Sequence, residues 1–419
     1  MKQFGLKDEN GKIYYGWWIV LVAAIICGLV YSGIVSVTGV FMLPVTESLQ
    51  LPVGGYSFYL TVMSLTNIVT LLVVSKYLSE RNIKKIMLVA GLLGIISFIG
   101  FAMAKSLMWF YIFSLPQGFC FGAFTMTPSQ ILISNWFGEK ARGKAMSLFL
   151  TGMSLITVVL MNGLNFIIIA KGWRAGYITL AICVAVCVLL AAKVVVWSPV
   201  QKGVKRIGDL DEAEMEAMAS REVKGLEFKE ALKRPITWLA FISATLAVIV
   251  SSSILQHGIP TMVMAGQSPT GATAIVSAMS IVIMFTGLII GVACDKKLII
   301  AAVGTSLLFC VSVVGLAYMD AGMIGMVLFT AGYIFGVPAI NIVSPLIMSH
   351  MYGEKDLNRL IGYTNVFVGI GGAIGAAAVG MIYQACGAYR PAWLAMAVVM
   401  LFVTVIRGIC TSEKRKYRQ

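Results

Sequence analysis

Charge is what this chain has least of: only 12% of its 419 residues are charged, too few to clothe a water-soluble body of that length. Histidine is scarcer still, with 2 copies. No ATP-binding P-loop, metal-ligand spacing or catalytic-triad pattern occurs, so an enzyme reading has little support and neither a cofactor nor a metal is expected. Eight cysteines, Cys27, Cys120, Cys183, Cys187, Cys294, Cys310, Cys386 and Cys410, lie in or at the ends of apolar stretches and form no CxxC pair. That excludes a disulfide framework and a zinc site. The formal charge of +14 comes from basic residues scattered between apolar stretches and not gathered into a patch, which argues against a nucleic-acid partner.

What the chain has in quantity is apolar sequence, at 59%. Twelve stretches are long enough to cross a hydrocarbon layer about 30 Å thick: 15–41, 55–78, 86–104, 108–134, 145–170, 174–197, 236–262, 270–293, 298–317, 322–349, 359–384 and 390–410. All read as helices, because a helix satisfies its own backbone in lipid, whereas a strand needs a closed barrel with an alternating polarity that is absent here. The first stretch follows Lys2, Lys7 and Lys12 like a signal sequence, but its apolar run is too long and no A-x-A cleavage site follows. Alternate loops hold only Lys105, Lys171, Arg174 and Arg390 of the 32 Lys and Arg residues. The other side is therefore cytoplasmic, with both termini on it and the cytoplasmic (inner) membrane as the location. One long polar segment, Ser198 to Arg234, divides the chain, giving an N-terminal six-helix bundle at 1–197, a linker at 198–235 and a C-terminal six-helix bundle at 236–419. The linker reads as a solvated tether, with a short amphipathic helix on the membrane surface as the alternative.

The two halves are related. FGEK at 137–140 is echoed by YGEK at 352–355, an offset of 215 residues, and at the same offset Glu80 meets Asp295, Arg81 meets Lys296 and Gly172 meets Gly387. Several matches in one register point to duplication of a six-helix unit, with a solute site expected near the membrane midplane between the copies.

Seven phrases carry a family resemblance: YYGWWIV (14–20), NWFGEKARGKAMS (135–147), GWRAGY (172–177), FKEALKRPITWL (228–239), QHGIP (256–260), GVACDKK (291–297) and GIGGAIGAAAVG (369–380). In this order they resemble the major facilitator superfamily, and within it the monocarboxylate and oxalate/formate branch. The resemblance implies an all-α membrane protein of two pseudo-symmetric six-helix bundles. It also implies a monomeric secondary carrier that moves a small organic solute, a monocarboxylate or related organic acid, together with protons or a counter-solute. GVACDKK is similar to the family's G-x-x-x-D-R/K gate loop. KYLSERNIKK after span 2 is a degraded copy, with Lys76 where glycine is usual and Glu80 for aspartate. Glu80, Arg81, Arg142, Asp295, Lys296 and Arg359 are thereby the candidate gating residues.

Basic residues that hold a carboxylate in the branch fall, by alignment, on Gly287, Ser36 and Thr364 here. An anion would have to be held by neutral donors. No ionised side chain can be placed deep in a span, where it would cost at least about 2.5 kcal/mol. The neutral groups that could line a solute site are Tyr31, Ser36, Gln117, Thr125, Asn162, Gln256, His257, Tyr333, Asn341 and Asn365. His257, the one histidine in a span, is the candidate for proton coupling, although Gly258 and Pro260 beside it suit a structural part. An uncharged cavity and 24 methionines also fit export of hydrophobic or aromatic compounds. A receptor that binds solute without moving it would need an output domain, for which the short tails leave no room.

Overall fold

The computed structural model describes residues 13–77, 79–209, 225–353 and 355–412; the side chains of 75, 76, 139 and 358 also lie outside the description. The basic leader, the middle of the linker with its expected amphipathic helix, and Lys76 therefore fall wholly or partly outside the described residues. Eleven helical segments among the described residues are long and apolar enough to cross a membrane. They are α1 (Tyr15–Leu49), α2 (Val53–Tyr77), α3 (Ile83–Ala102), α4 (Leu107–Trp136), α5 (Glu139–Lys171), α6 (Trp173–Val194), α7 (Pro235–Met264), a 49-residue segment Pro269–Ala317, α10 (Met323–Tyr352), α11 (Leu357–Cys386) and α12 (Tyr389–Ser412). The 49-residue segment leaves helical geometry at Lys297 (φ −148°, ψ 87°), which divides it into α8 (269–296) and α9 (298–317). Both are long enough to span at about 1.5 Å per residue.

Expectation and structure differ at three places. α1 runs through Pro44 and the polar run Thr46–Ser48 to Leu49, several residues past the expected end, and closes at Gln50, whose φ is +50°. The GVACDKK phrase is not a loop: Asp295 and Lys296 belong to the last helical turn before the kink, since no glycine or proline follows Gly291 to stop the helix. α4 is not merely bent by Pro116 and Pro128 but interrupted at Thr125 (φ −103°, ψ −116°), so that Pro128 sits in the opening turn of Met126–Trp136, where a proline removes no helical hydrogen bond.

The described residues fall into two compact units, one formed from Met1–Pro44 with Leu65–Arg221 and the other from Val45–Ser64 with Glu222–Gln419. In the first, the opening YYGWWIV phrase packs on NWFGEK. Tyr14 donates to the Trp136 carbonyl at 2.8 Å, its ring lies 5.7 Å from those of both Trp136 and Phe137, and Trp136 Nε1 donates to Val196 O at 2.9 Å. Burial pushes the Tyr14 phenol up to about 12, which keeps it a donor across the physiological range. One aromatic joint thus ties the start of α1 to the ends of α4 and α6.

In the second unit, Val45–Ser64 packs with α7 and α11: Thr61 Oγ1 donates to Ala373 O at 2.5 Å, and Gly54 lies against Gly380. The repeat is visible in the backbone, because Gly172 (φ +83°) and Gly387 (φ +70°) close α5 and α11 at equivalent positions. Lipid offers no hydrophobic drive for helix association, so close packing carries it. The glycine-rich face of α11 supplies that packing: a Cβ on Gly375 would strike Ser252 Oγ and the Ile249 carbonyl, and one on Gly371 would press on the Thr245 carbonyl, whereas Gly372 has open space. Side chains such as Val159 and Phe166, each 73% exposed, face outward without a polar covering, as a bilayer solvent allows.

The asymmetry within this glycine run is testable. Gly375→Val should lower the unfolding free energy by about 1–3 kcal/mol through overpacking, read as a lower melting temperature of the detergent-solubilised protein. Gly372→Ala should melt with the wild type, and equal melting of the two variants would contradict α11–α7 packing.

Candidate functional site

Each compact unit carries one constellation of the neutral groups expected from sequence. In the first unit it is built on broken helix. α1 contains a π-helical turn, Cys27–Tyr31, followed by a second irregular turn at 35–37. Gly28 permits the first of these, because a Cβ there would strike Ile156 of α5. The π turn faces the break in α4: Cys27 Sγ donates to Ser129 Oγ at 3.6 Å and the Tyr31 ring lies 5.4 Å from that of Phe121. Ser32 and Thr157 share a 2.5 Å hydroxyl hydrogen bond that ties the same turn to α5. Wide turns of this kind recur at functional sites, and irregular backbone at membrane depth survives only where protein or a cavity surrounds it.

Around these breaks stand the expected residues. Tyr31 and Ser36 are half-buried on the irregular part of α1. Thr125 donates its hydroxyl to Phe121 O at 2.6 Å across the α4 break. Gln117 is buried, and its Oε1 meets no donor among the described residues. Asn162 donates to Val158 O at 2.8 Å on its own helix. An open apolar groove of about 380 Å³ lies beside the π turn, lined by Leu29 of α1, Leu155, Val159 and Leu164 of α5, and Thr179 of α6 among others; Val159 is 73% exposed, so the groove opens on the outward-facing surface. Its wall is almost wholly apolar.

In the second unit the centre is α7. His257 is fully buried. Its Nε2 lies 2.8 Å from the Ala376 carbonyl, an acceptor only, so the ring proton sits on Nε2 and Nδ1 accepts from the Tyr389 hydroxyl at 3.1 Å. Ser57 Oγ, 3.5 Å from Nε2, completes the shell. The histidine therefore clamps α7 to both α11 and α12. One residue earlier, Gln256 is also fully buried, and neither its Nε2 nor its Oε1 finds a partner among the described residues. An unsatisfied buried amide is costly, which makes Gln256 the side chain most in need of a ligand. Tyr333 is buried in α10 with its ring 5.4 Å from that of Phe329, while Asn341 and Asn365 are exposed. The residues missed from sequence are Ser57, Thr157 and Tyr389, which carry no pattern of their own and matter only through what they touch.

The six gating candidates do not form a network: among the described residues no ion pair joins any of them. Glu80 accepts from Gln201 Nε2 at 2.7 Å. Arg81, Asp295, Lys296 and Arg359 are exposed, and Arg142 is half-buried in the first turn of α5 with Nε unpartnered among the described residues. Arg407 of α12, 1% exposed, donates to Ser306 Oγ at 3.0 Å and is the one fully buried guanidinium among the described residues.

Comparison with known proteins places this geometry. The sequence profile described as Major Facilitator Superfamily matches residues 24–351. No curated protein sequence matches the chain. Among solved structures, the nucleoside transporter NupG has 13% identity over 96% of this chain and 100% of its own, with a TM-score of 0.75. A bacterial homolog of the human lysosomal transporter Spinster, inward-facing and unoccupied, has 14% identity over 95% of this chain and 97% of its own, with a TM-score of 0.73. A D-xylose-proton symporter has 14% identity over 95% and 96%, with a TM-score of 0.69. At these identities the likeness is one of fold.

The His257 clamp predicts a stability effect. His257→Ala should lower stability by about 2 kcal/mol by removing the hydrogen bonds to the Ala376 carbonyl and the Tyr389 hydroxyl, and His257→Gln, which can still donate, should recover part of it. A melting curve of the alanine variant that overlays the wild type would contradict the clamp.

Proposed function

Because the chain belongs to the major facilitator superfamily, whose members are transporters and not enzymes, we propose that it is a secondary active carrier of a small organic solute, a monocarboxylate or related organic acid, working by alternating access across the cytoplasmic membrane. Gln256 carries the reading. Its buried amide offers both a donor and an acceptor that meet no partner among the described residues, which suits a solute bearing a carboxyl, carbonyl or hydroxyl edge.

The break in α4 supports an anionic solute despite the missing basic clamp. The half-helix Met126–Trp136 begins there, and helix N-termini carry partial positive charge and free amides that favour carboxylates. Tyr31, Ser36, Gln117, Thr125 and Asn162 would supply the solute contacts of one half, and Gln256, His257, Tyr333, Asn341 and Asn365 those of the other. Solute binding would bias the exchange between inward-open and outward-open states. Glu80, Arg81, Arg142, Asp295, Lys296 and Arg359 would make their gating contacts in the other state. Coupling to protons would fall to His257, whose two ring nitrogens are already engaged in the clamp between α7, α11 and α12.

A second reading, transport of a hydrophobic or aromatic compound, rests on the uncharged character of the candidate solute groups and on the 24 methionines. A thermal-shift screen against monocarboxylates, dicarboxylates, bile-acid-like compounds and aromatic amphiphiles separates the two readings, because a binder stabilises the native state by mass action. Stabilisation by carboxylates supports the first reading and stabilisation by amphiphiles alone the second. Gln256→Leu should melt at or above the wild-type temperature without solute, since it removes an unpaired amide, and should lose the solute-dependent rise. Retention of the full rise would remove Gln256 from the site.

A further inference from the structure

The repeated aromatic-Gly-Glu-Lys turn, the strongest sign of duplication in the sequence, is used by neither the solute groups nor the gating candidates. In the structure each copy contacts one end of the linker, the first through a parallel bridge and the second through an antiparallel one. At the first copy, Gly138 N donates to Ile207 O at 2.8 Å and Lys140 N to Gly208 O at 3.0 Å, with Phe137 and Ile207 paired as an isolated bridge. Arg206 locks the contact by donating through Nη2 to Ser134 O at 2.5 Å and to Phe137 O at 3.0 Å, while its Nη1 pairs with Asp209 at 3.3 Å. Only glycine fits here, because a Cβ on Gly138 would strike the Gly208 carbonyl and Gly208 itself has φ +81°.

At the second copy, Gly353 and Gly225 pair as an isolated bridge and Leu226 N donates to Tyr352 O at 2.9 Å. Asp356 Oδ2 accepts from Phe228 N at 2.8 Å, and Lys355 pairs with Glu227 at 3.1 Å. At the 215-residue offset Phe137 corresponds to Tyr352 and Gly138 to Gly353, so the bridge falls on the aromatic position in the first copy and on the glycine in the second, within the same two-residue turn. The two latches use different linker sequences and different locking side chains, one cationic and one anionic. The receptor is what was duplicated, and the linker supplied a fitted segment for each copy.

We propose that the two described ends of the linker, 206–209 and 225–228, are docking segments, each held by one copy of the repeated turn, and that Arg206 and Asp356 are the positioning residues that hold the starts of α5 and α11 to them. α5 opens at Glu139, within the first turn, and α11 at Leu357, two residues past the second. Loosening a latch therefore frees the first turn of the helix behind it, and docking of this kind sets how readily those helix starts move.

Hydrogen exchange read by mass spectrometry on the full-length protein in nanodiscs tests this without any solute. Arg206→Ala should speed exchange of the Gly138 and Lys140 amides about tenfold, the loss expected of one locked hydrogen-bonded site. It should also speed the first turn of α5 and leave Leu226 and Phe228 at wild-type rates. Asp356→Ala should do the reverse, acting on Leu226, Phe228 and the first turn of α11. Unchanged exchange at the latch amides would overturn the assignment of the locking residues, and loosened latches with unchanged helix starts would reduce the docked segments to a passive tether. Should either alanine variant fail to fold, the pair Glu227→Cys with Lys355→Cys closes the second latch instead. Its oxidation should slow exchange of the α11 first turn several-fold, and no slowing would count against the proposal.

Discussion

A bilayer core offers no water to an unpaired peptide group, and most features of this protein follow from that one deprivation. Helices are the only open-ended structure that pays no penalty there, so the apolar stretches become helices whatever their propensities. With no hydrophobic drive left to bring those helices together, closeness of approach decides association. That is why glycine lines the α11 face against α7, and why Ser253, Thr61 and His257 spend their polar atoms on carbonyls of neighbouring helices. The same constraint gives meaning to the exceptions. A π turn in α1 and a broken α4 facing each other, or a buried amide with nothing to bond, are departures that lipid-embedded protein does not keep without a use.

The phrases that carry the family resemblance are largely structural joints. YYGWWIV and NWFGEK are two sides of one aromatic contact. In GWRAGY the Arg174 guanidinium lies 4.1 Å from the Trp173 ring and Tyr177 stacks on Phe41 at 4.1 Å. FKEALKRPITWL turns the chain into α7 through Thr237, which bonds Ala231 O and the Tyr352 hydroxyl, and QHGIP holds the histidine clamp. Such motifs identify an architecture and leave the cargo open, because most of the candidate solute groups, Gln256 and His257 of QHGIP apart, lie outside them.

Much of the architecture could be read before any coordinates. Long apolar runs announce helices, and the echo of FGEK in YGEK declares the duplication. What escaped the sequence did so for physical reasons. Asp295 and Lys296 are helical because no breaker follows Gly291, and the kink at Lys297 is a backbone choice that no residue type announces. The α4 interruption at Thr125 lies between two prolines that pattern reading credits with mere bending. Of the candidate site, residue types were legible and partnerships were not: His257 and Gln256 are adjacent and equally buried, yet one is fully engaged and the other not at all. Only three-dimensional neighbours, Ala376, Tyr389 and Ser57, separate them.

The central claim is that a solute site is open to each face of the membrane in turn. A single cysteine at position 36, on the irregular part of α1, in a background freed of the native cysteines, tests it most directly. Membrane-impermeant maleimide should modify that cysteine from either face of sealed, oriented vesicles, with reaction from one face protected when a stabilising solute is present. Reaction from one face alone, under all conditions, would contradict the account.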